Sequence, residues 1–348
     1  MELHSSYRPP GLSQVSRLKS QISMLKALNP HSETKSCPGL LVALLLLLSL
    51  AACSTNKSEG PAKIAVVIST LNNPWFVVLG ESAAERAREL GYEATIFDSQ
   101  NNTSKEAEHF ENLIAAGYDA ILFNATDSEG SVSNVKRAKA AGEPTFCMDW
   151  EINSLEAATS QITSDNFTGC VELGEYFVRT LNKKGKYVEL LGLVGDNNTW
   201  NRSKGFHSVV DHFPALEMVA QQSADFDRSK AMEVLESVMQ SNPDIDAVFC
   251  GNDAMAMGAY QALVAAGKAD SVLVFGFDGA KDVMDAIKNE KIAATAMQSP
   301  RQMARTAANL ADQYLKGKRN FSQKTPLQVK VVTQENIDQF GAYGSANE

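Results

Sequence analysis

From Lys63 onward, short apolar runs alternate with stretches of helical periodicity, and this alternation most constrains the fold. The apolar runs of the first half are KIAVVIS (63–69), EATIF (93–97), AILFN (120–124) and TFCMD (145–149). Helical patterns lie between them, at 74–90, 105–116 and 131–141. Strands that are apolar along most of their length are typical of a parallel sheet covered by helices on both faces.

The second half of the chain repeats this pattern. Strands are predicted at 186–194, 218–223, 247–251, 271–277 and 293–298, with a last one at 326–332. Helices are predicted at 202–212, 230–241, 253–266, 281–289 and 300–315. Two βα repeats of similar length predict an α/β protein with two Rossmann-like, doubly wound lobes.

The N-terminus carries an apolar run, LLVALLLLLSL (40–50), preceded by Lys26 and Lys35. A transmembrane helix needs about 20 apolar residues, so the run is typical of the core of a signal peptide. It ends in LAAC (50–53), which resembles the lipobox of bacterial lipoproteins and predicts lipidation of Cys53. An ordinary secretory signal in which Cys53 is incidental is the alternative.

The segment boundaries follow from this signal. Residues 1–52 form the predicted signal peptide, and residues 53–61, polar with Gly60 and Pro61, form a tether. Met24 is an alternative start, in which case residues 1–23 are an extension of the true reading frame. We therefore expect an exported protein that is held on a membrane by a lipid and faces the periplasm or the cell exterior.

Composition excludes several classes of protein. With 44% hydrophobic and 21% charged residues, the 348-residue chain has the composition of a soluble globular protein. Its net charge of −9 argues against a nucleic-acid partner, since phosphate binding depends on clustered Lys and Arg. Cys147, Cys170 and Cys250 have no CxxC spacing, so buried free thiols are expected rather than a zinc site or a disulfide framework.

Catalytic patterns are weak. The histidines after Cys53 are His109, His207 and His212, and none lies in a metal-ligand or nucleophile–base spacing. The sequence has neither a GxGxxG loop nor a GxxxxGK[ST] motif. Asp149 and Asp278 are conceivable as a glycosidase pair, but the amides around them suit holding a sugar better than cleaving it. We expect no enzyme activity, no cofactor and no metal.

Polar side chains follow almost every predicted strand, where ligands of open α/β sheets bind. Amides and carboxylates bind sugar hydroxyls, and aromatic rings cover the C–H faces of a sugar. Turn formation and helix capping are the alternative reason for such residues at strand ends. The polar residues are Asn72, Asn73, Asn124, Asp149, Asn252, Asp253 and Asp278, with Trp75, Phe76, Trp150 and Phe226 as aromatics.

Eight motifs then resemble a known family. They are STLNNPWF (69–76), DSQNN (98–102), NATDS (124–128), ITSDN (162–166), SADFDR (223–228), GNDAMAMGA (251–259), GFDG (276–279) and AATAMQ (293–298). In this order they closely resemble the ribose-binding members of the type I periplasmic sugar-binding protein family. The resemblance covers residues 62–332.

The resemblance implies two lobes joined by three crossing segments, with sugar in the cleft. The first lobe would be 62–164 plus 299–327, and the second 165–298 plus 328–348. The crossings would fall near 163–166, 297–299 and 327–328. The family's sugar-contacting positions match Asn73, Phe76, Asn124, Asp149, Arg202, Phe226, Asn252, Asp278 and Gln298.

Two positions depart from the ribose-binding pattern. Trp75 replaces a phenylalanine and keeps an aromatic platform. Trp150 replaces an arginine that follows the aspartate equivalent to Asp149, which removes a guanidinium with up to five donors. This change argues for a small sugar or polyol other than D-ribose, unless Trp150 is a solvent-facing residue at the rim.

The resemblance implies the solute-binding lipoprotein of a sugar ABC importer. Its partners would be a small monosaccharide or polyol and the permease and ATPase subunits, and the protein would be a monomer. A sensor subunit that binds a sugar or a furanosyl signal for a membrane receptor is the alternative. A repressor of the same two-lobed type would need a DNA-binding head, where this chain has an export signal.

Overall fold

The computed structural model describes residues 60–344. The first lobe contains a six-stranded, fully parallel sheet in the order β11-β5-β4-β3-β1-β2. Its strands are β1 (Lys63–Ile68), β2 (Glu93–Asp98), β3 (Ala120–Phe123), β4 (Thr145–Met148), β5 (Ser160–Ser164) and β11 (Lys324–Leu327). The helices are α1 (Pro74–Glu89), α2 (Thr103–Ala116), α3 (Val132–Ala141) and α9 (Pro300–Leu315).

The second lobe contains another six-stranded sheet, in the order β12-β10-β9-β8-β6-β7. Its strands are β6 (Gly185–Leu191), β7 (Leu216–Ser223), β8 (Ala247–Cys250), β9 (Leu273–Asp278), β10 (Ala294–Met297) and β12 (Lys330–Thr333). All neighbours pair in parallel except β10 and β12. The helices are α4 (Asn166–Thr180), α5 (Asn197–Val210), α6 (Arg228–Ser241), α7 (Asp253–Ala265) and α8 (Lys281–Lys288).

The inner strands, such as β1, β3 and β8, are buried on both faces, as their near-continuous apolar sequences predict. In β8, Val248 and Cys250 belong to one hydrophobic core, whereas Ala247 and Phe249 belong to a second core on the opposite face. This alternation arises because successive side chains of a strand point to opposite faces of the sheet. The two-lobed α/β fold predicted from the sequence is confirmed.

The chain passes between the two sheets three times. It leaves the first sheet after β5 and enters α4 at Asn166, and it returns between the end of β10 and Pro300. The third passage lies between Leu327 and Lys330, where β11 ends and β12 begins. The single strand predicted at 326–332 is therefore wrong: its two halves pair with different sheets. These short crossings place the carboxyl ends of both sheets opposite each other.

Cysteine burial follows the expectation from composition. Cys147, Cys170 and Cys250 are buried free thiols, and burial raises the pKa of each. Within residues 60–344, no helix is long and apolar enough to cross a membrane. The predicted signal peptide, Cys53 and most of the tether lie outside the described residues.

Candidate functional site

A cavity with about 290 Å³ of space free of protein atoms, including its opening to solvent, lies between the two lobes. The first lobe contributes Asn73, Trp75, Phe76, Asp149 and Trp150, and the second contributes Asp196, Arg202, Phe226, Asn252, Asp278 and Gln298. All but Arg202 lie at or shortly after the carboxyl end of a strand, as ligands of α/β sheets require.

Helix capping orients two amides of the site. The Oδ1 of Asn73 accepts a hydrogen bond from the Trp75 backbone N–H at 3.0 Å, at the start of α1. The Oδ1 of Asn252 accepts from the Met255 backbone N–H at 2.9 Å, at the start of α7. Since a helix start requires an oxygen acceptor, each amide is turned so that its NH2 group is a donor. The Asn252 Nδ2 donates one hydrogen bond to the Phe226 carbonyl at 3.4 Å, which leaves it one further N–H for the cavity. Both residues are thereby held as donors toward a ligand.

Arg202 is fixed on four sides and is 4% exposed. Its Nε donates to the Asn166 Oδ1 at 2.8 Å, and its Nη1 donates to the Gly251 carbonyl at 2.7 Å. The guanidinium lies 3.8 Å from the centroid of the Phe277 ring, and Nη1 lies 3.8 Å from the Asp278 Oδ1. A cation so constrained by stacking and hydrogen bonds is preorganised to bind the oxygens of a neutral ligand.

Asp278 is held by the strand that follows it in the sheet. The Gln298 Nε2 donates to its Oδ1 at 2.7 Å, and the Gln298 backbone N–H donates to its carbonyl at 3.1 Å. Behind it, Asp253 accepts from the Thr295 hydroxyl at 2.7 Å and from the Ala280 backbone N–H at 2.7 Å. These bonds leave the Gln298 Oε1 without a partner in the described residues, as an acceptor for a ligand.

Asp149 is tied to the opposite lobe through Asn198. The Asn198 Nδ2 donates to the Asp149 Oδ1 at 3.3 Å, and the Asn198 Oδ1 accepts from Asn166 at 2.9 Å. Asn166 in turn accepts from Arg202. A continuous network of hydrogen bonds therefore links the carboxylate of the first lobe to the guanidinium of the second.

Three residues of the cavity adopt backbone conformations that are rare for non-glycine residues. Asp149 has φ 68°, Phe226 has φ 59° and Asp278 has φ 131°. Each such residue costs of order 1–3 kcal/mol and persists only where surrounding contacts hold it. The three lie at or after β4, β7 and β9, where the strained turn directs the side chain to the carboxyl edge of the sheet.

Four aromatic rings form the apolar walls of the cavity. Phe76 packs edge-on against Trp75 and Trp150, with centroid separations of 5.4 and 6.3 Å. Phe226 covers the second-lobe side and lies directly over Gly192, where an added Cβ would come within 2.0 Å of its ring. Rings on both sides of a polar cavity match a sugar, which has apolar C–H faces and a polar edge.

The carboxyl groups of the cavity are difficult to ionise because they are buried. Burial raises the pKa of Asp196 to about 7 and that of Asp278 to about 6, while Arg202 opposes both shifts. Burial also raises the pKa of Asp149 well above its ordinary value, and the nearby Asp196 and Asp278 add to the shift. The site thus holds more carboxyl groups than cations, which favours a neutral ligand with hydroxyl donors over an anion.

Ten of the thirteen binding candidates that the strand ends and the family resemblance single out line this cavity, and Asn72 and Asp253 are two of the three that do not. The third is Asn124, which is fully buried behind it. The Asn124 Oδ1 accepts from the Ser69 hydroxyl at 2.6 Å, and its Nδ2 donates to the Met148 carbonyl at 3.1 Å. Asn124 therefore joins the ends of β1 and β4 instead of facing the cavity. Trp150 is 3% exposed, so the alternative of a solvent-facing rim residue is wrong.

Asp196 is the residue of the cavity that sequence reasoning missed. It follows β6 in the GLVGD segment (192–196), so the strand-end argument applies to it as well. Neither the strand-end set nor the positions matched to the family included it. Among residues 60–344, no group of three or more His, Cys, Asp or Glu side chains is placed to hold a metal ion.

The two-lobed fold and its interlobe cavity define a protein that encloses a small solute. The model of the periplasmic binding protein domain family matches residues 64–319. The chain belongs to the type I periplasmic sugar-binding protein family, whose members are non-enzymatic components of transport systems.

Relatives agree with this assignment. The D-apiose import binding protein of Paraburkholderia graminis is 40% identical over 81% of this chain and 91% of its own. The ribose import binding protein of Salmonella typhimurium is 38% identical over 85% of this chain and 98% of its own. A solute-binding protein from Bacillus halodurans, solved with myo-inositol, superimposes with a TM-score of 0.77 at 29% identity, over 81% of this chain and 98% of that one.

Proposed function

We propose that the chain is the solute-binding lipoprotein of a sugar ABC importer, and that it encloses one neutral monosaccharide or polyol between its lobes. The observation that carries this proposal is the cavity itself. It is lined by preorganised donors and acceptors between aromatic walls. Relatives of the chain are a D-apiose import binding protein and a ribose import binding protein, and both names refer to a single monosaccharide.

The chemistry of the lining supports a hydroxyl-rich ligand. Arg202 and the amides of Asn73 and Asn252 supply hydrogen-bond donors, whereas the acceptors are carboxyl oxygens and the Gln298 amide oxygen. A hydroxyl group both donates and accepts, so a polyhydroxylated ring can satisfy both kinds of partner at once. Three carboxyl groups, those of Asp149, Asp196 and Asp278, line the cavity with one cation, Arg202, and this excess disfavours an acidic ligand such as a sugar phosphate.

Export and membrane anchoring complete the proposal. The signal-peptide pattern and the lipobox-like LAAC segment (50–53) support lipidation at Cys53. The polar residues up to 61 would then separate the folded body from the membrane. The loaded, closed form would deliver its solute to the permease as a monomer.

A thermal-shift screen tests the ligand class. The screen compares five neutral monosaccharides or polyols with a disaccharide, maltose, and an anion, ribose 5-phosphate. The five are D-apiose, D-ribose, myo-inositol, erythritol and xylitol. A ligand that binds only the folded state stabilises it, by about 2.7 kcal/mol when the ligand concentration is 100 times the dissociation constant. The unfolding temperature then rises. We expect a shift with at least one neutral monosaccharide or polyol. Shifts with maltose or the phosphate alone would contradict the proposal.

A further inference from the structure

Asp196 presents one carboxyl oxygen that the folded protein does not use. Its Oδ1 accepts from the Asn198 backbone N–H at 2.9 Å and so caps the start of α5. Its Oδ2 is buried without a hydrogen-bond partner in the described part of the chain. The residue lines the cavity and is 1% exposed. Capping needs a single oxygen, so it accounts for Oδ1 and leaves Oδ2 unexplained.

Asp227, another helix-capping aspartate of the same lobe, differs from Asp196 in its exposure to water. Asp227 caps α6 in the same way, with its Oδ1 accepting from the Lys230 backbone N–H at 2.8 Å. Asp227 is exposed, so water solvates its second oxygen. Asp196 has no such access, and a buried acceptor without a partner is unfavourable until something donates to it.

Two further buried atoms without partners belong to residues of the cavity, namely the Trp75 Nε1 and the Gln298 Oε1. The indole N–H is a donor, and the two oxygens are acceptors. The three residues that carry these unsatisfied atoms line the same cavity. A solute enclosed there would have to offer one acceptor and two donors to them.

The position of Asp196 relative to Asp149 specifies which part of the solute it reads. Asn198 contacts both residues: its backbone N–H binds the Asp196 Oδ1, and its side-chain amide binds the Asp149 Oδ1 at 3.3 Å. The two carboxyl groups are therefore linked through one asparagine, and they are near enough that the charge of Asp196 raises the pKa of Asp149. Hydroxyl groups bound by them would be neighbours on the same solute.

We propose that Asp196 is a specificity-determining residue whose Oδ2 accepts a hydrogen bond from a sugar hydroxyl adjacent to the hydroxyl bound by Asp149. This inference rests on the proposed function. It adds one hydroxyl to those read by the residues that match the family pattern, so the preferred solute has a hydroxyl or hydroxymethyl group at that point.

Two substitutions test the inference while keeping the helix cap. Asp196→Asn retains the capping oxygen and turns the second oxygen into an NH2 donor, and Asp196→Ser retains a cap and removes the second oxygen. Calorimetric titrations of the wild type and both variants use five solutes: D-apiose, D-ribose, myo-inositol, erythritol and xylitol. Asp227→Asn and Asp227→Ser are the matched controls, and unfolding temperatures verify that all variants fold.

We expect both Asp196 variants to bind the tightest of the five solutes at least about tenfold more weakly, with the Asp227 variants within about twofold of the wild type. Monodeoxy analogues of that solute identify the hydroxyl: one of them should weaken binding to the wild type and leave binding to Asp196→Ser unchanged. Unchanged affinity in both Asp196 variants would overturn the inference alone. If the wild type bound none of the solutes, the proposed function would fail and the inference with it.

Discussion

The guanidinium of Arg202 stacks on the Phe277 ring at 3.8 Å while its Nη1 lies 3.8 Å from the carboxylate of Asp278, the next residue along the chain. Consecutive residues at the end of β9 thus provide a flat support and a counter-charge for one cation. The Gly251 carbonyl, at the end of the neighbouring β8, provides a third contact at 2.7 Å. The cation of the cavity is therefore positioned mainly by the edge of the second sheet.

Replacing Arg202 with lysine should weaken solute binding although the charge is kept. Lysine has no planar group to stack on Phe277 and cannot bind Asn166 and the cavity at the same time. We expect calorimetry to show at least about a tenfold loss of affinity for the solute that the wild type binds most tightly. Arg179→Lys is the control. The Arg179 guanidinium lies 5.2 Å from the centroid of the Tyr176 ring, and Arg179 does not line the cavity. Equal affinity in Arg202→Lys and the wild type would remove Arg202 from the site.

Trp150 should set the preference against D-ribose. Its indole donates at most one hydrogen bond, whereas the arginine at this position of the ribose-binding pattern donates several. We expect the wild type to prefer another small sugar or polyol, and Trp150→Arg to bind D-ribose more tightly than the wild type does. Trp200→Arg is the control, because Trp200 is 38% exposed and outside the cavity. D-ribose as the tightest wild-type ligand, with no gain in Trp150→Arg, contradicts this prediction.

The stability of the ligand-free protein should fall as the pH rises from about 5 to 8. Burial raises the pKa of Asp196 to about 7 and that of Asp278 to about 6, from an ordinary value of 3.8. Between these values the folded state holds protons that the unfolded chain has released, so unfolding releases protons and a rise in pH favours it. Each group changes the free energy of unfolding by at most about 1.4 kcal/mol per pH unit.

His207 acts in the same direction at higher pH. Its Nε2 lies 2.9 Å from the buried Glu189, whose hydrogen bond raises the pKa of the imidazole to about 9. The resulting stabilisation is complete below the ordinary pKa of 6.5 and disappears as the pH rises through 9. Thermal unfolding between pH 5 and 8 checks both effects. Asp196→Asn should flatten the profile below pH 7, and a wild-type unfolding temperature that increases with pH would exclude this explanation.

Cys53 should carry the membrane anchor. Cells that express the protein and are labelled with a clickable fatty acid should yield a labelled wild type and an unlabelled Cys53→Ala variant. Cys147→Ala is the control, because Cys147 is buried in the first lobe and should not affect labelling. If the Cys53→Ala protein remained labelled and fully bound to membranes, the anchor would lie elsewhere.

The architecture could be predicted from the sequence because parallel strands that are buried on both faces leave a strong apolar signal. β5 (Ser160–Ser164) and α4 (Asn166–Thr180) were not predicted as elements. The sequence of β5 is SQITS, which is mostly polar although every residue is buried. Gln161, for example, is satisfied through the Ile152 backbone and therefore does not need water. Hydropathy alone cannot reveal such a strand, because the partners that allow its burial are tertiary.

The residues of the candidate site could also be predicted only in part. Strand ends and the family resemblance together predicted the residues that line the cavity, because a parallel sheet brings its carboxyl ends to one edge. They could not distinguish Asn124 from the others, since its contacts with Ser69 and Met148 depend on the spacing of β1, β3 and β4. A helix-capping role is sufficient to explain an aspartate at position 196. Only the buried second oxygen of its carboxyl group indicates a further role.

The central claim is that the interlobe cavity binds one neutral sugar or polyol, and calorimetry on the wild type and on Asp278→Ala tests it most directly. A buried carboxylate that accepts hydrogen bonds from a solute contributes roughly 1.5–3 kcal/mol per bond. We therefore expect one of D-apiose, D-ribose, myo-inositol, erythritol or xylitol to bind the wild type with a stoichiometry of one, and Asp278→Ala to bind it at least about tenfold more weakly. Equal affinity in a correctly folded Asp278→Ala, or no binding of any of the five by the wild type, would contradict the account.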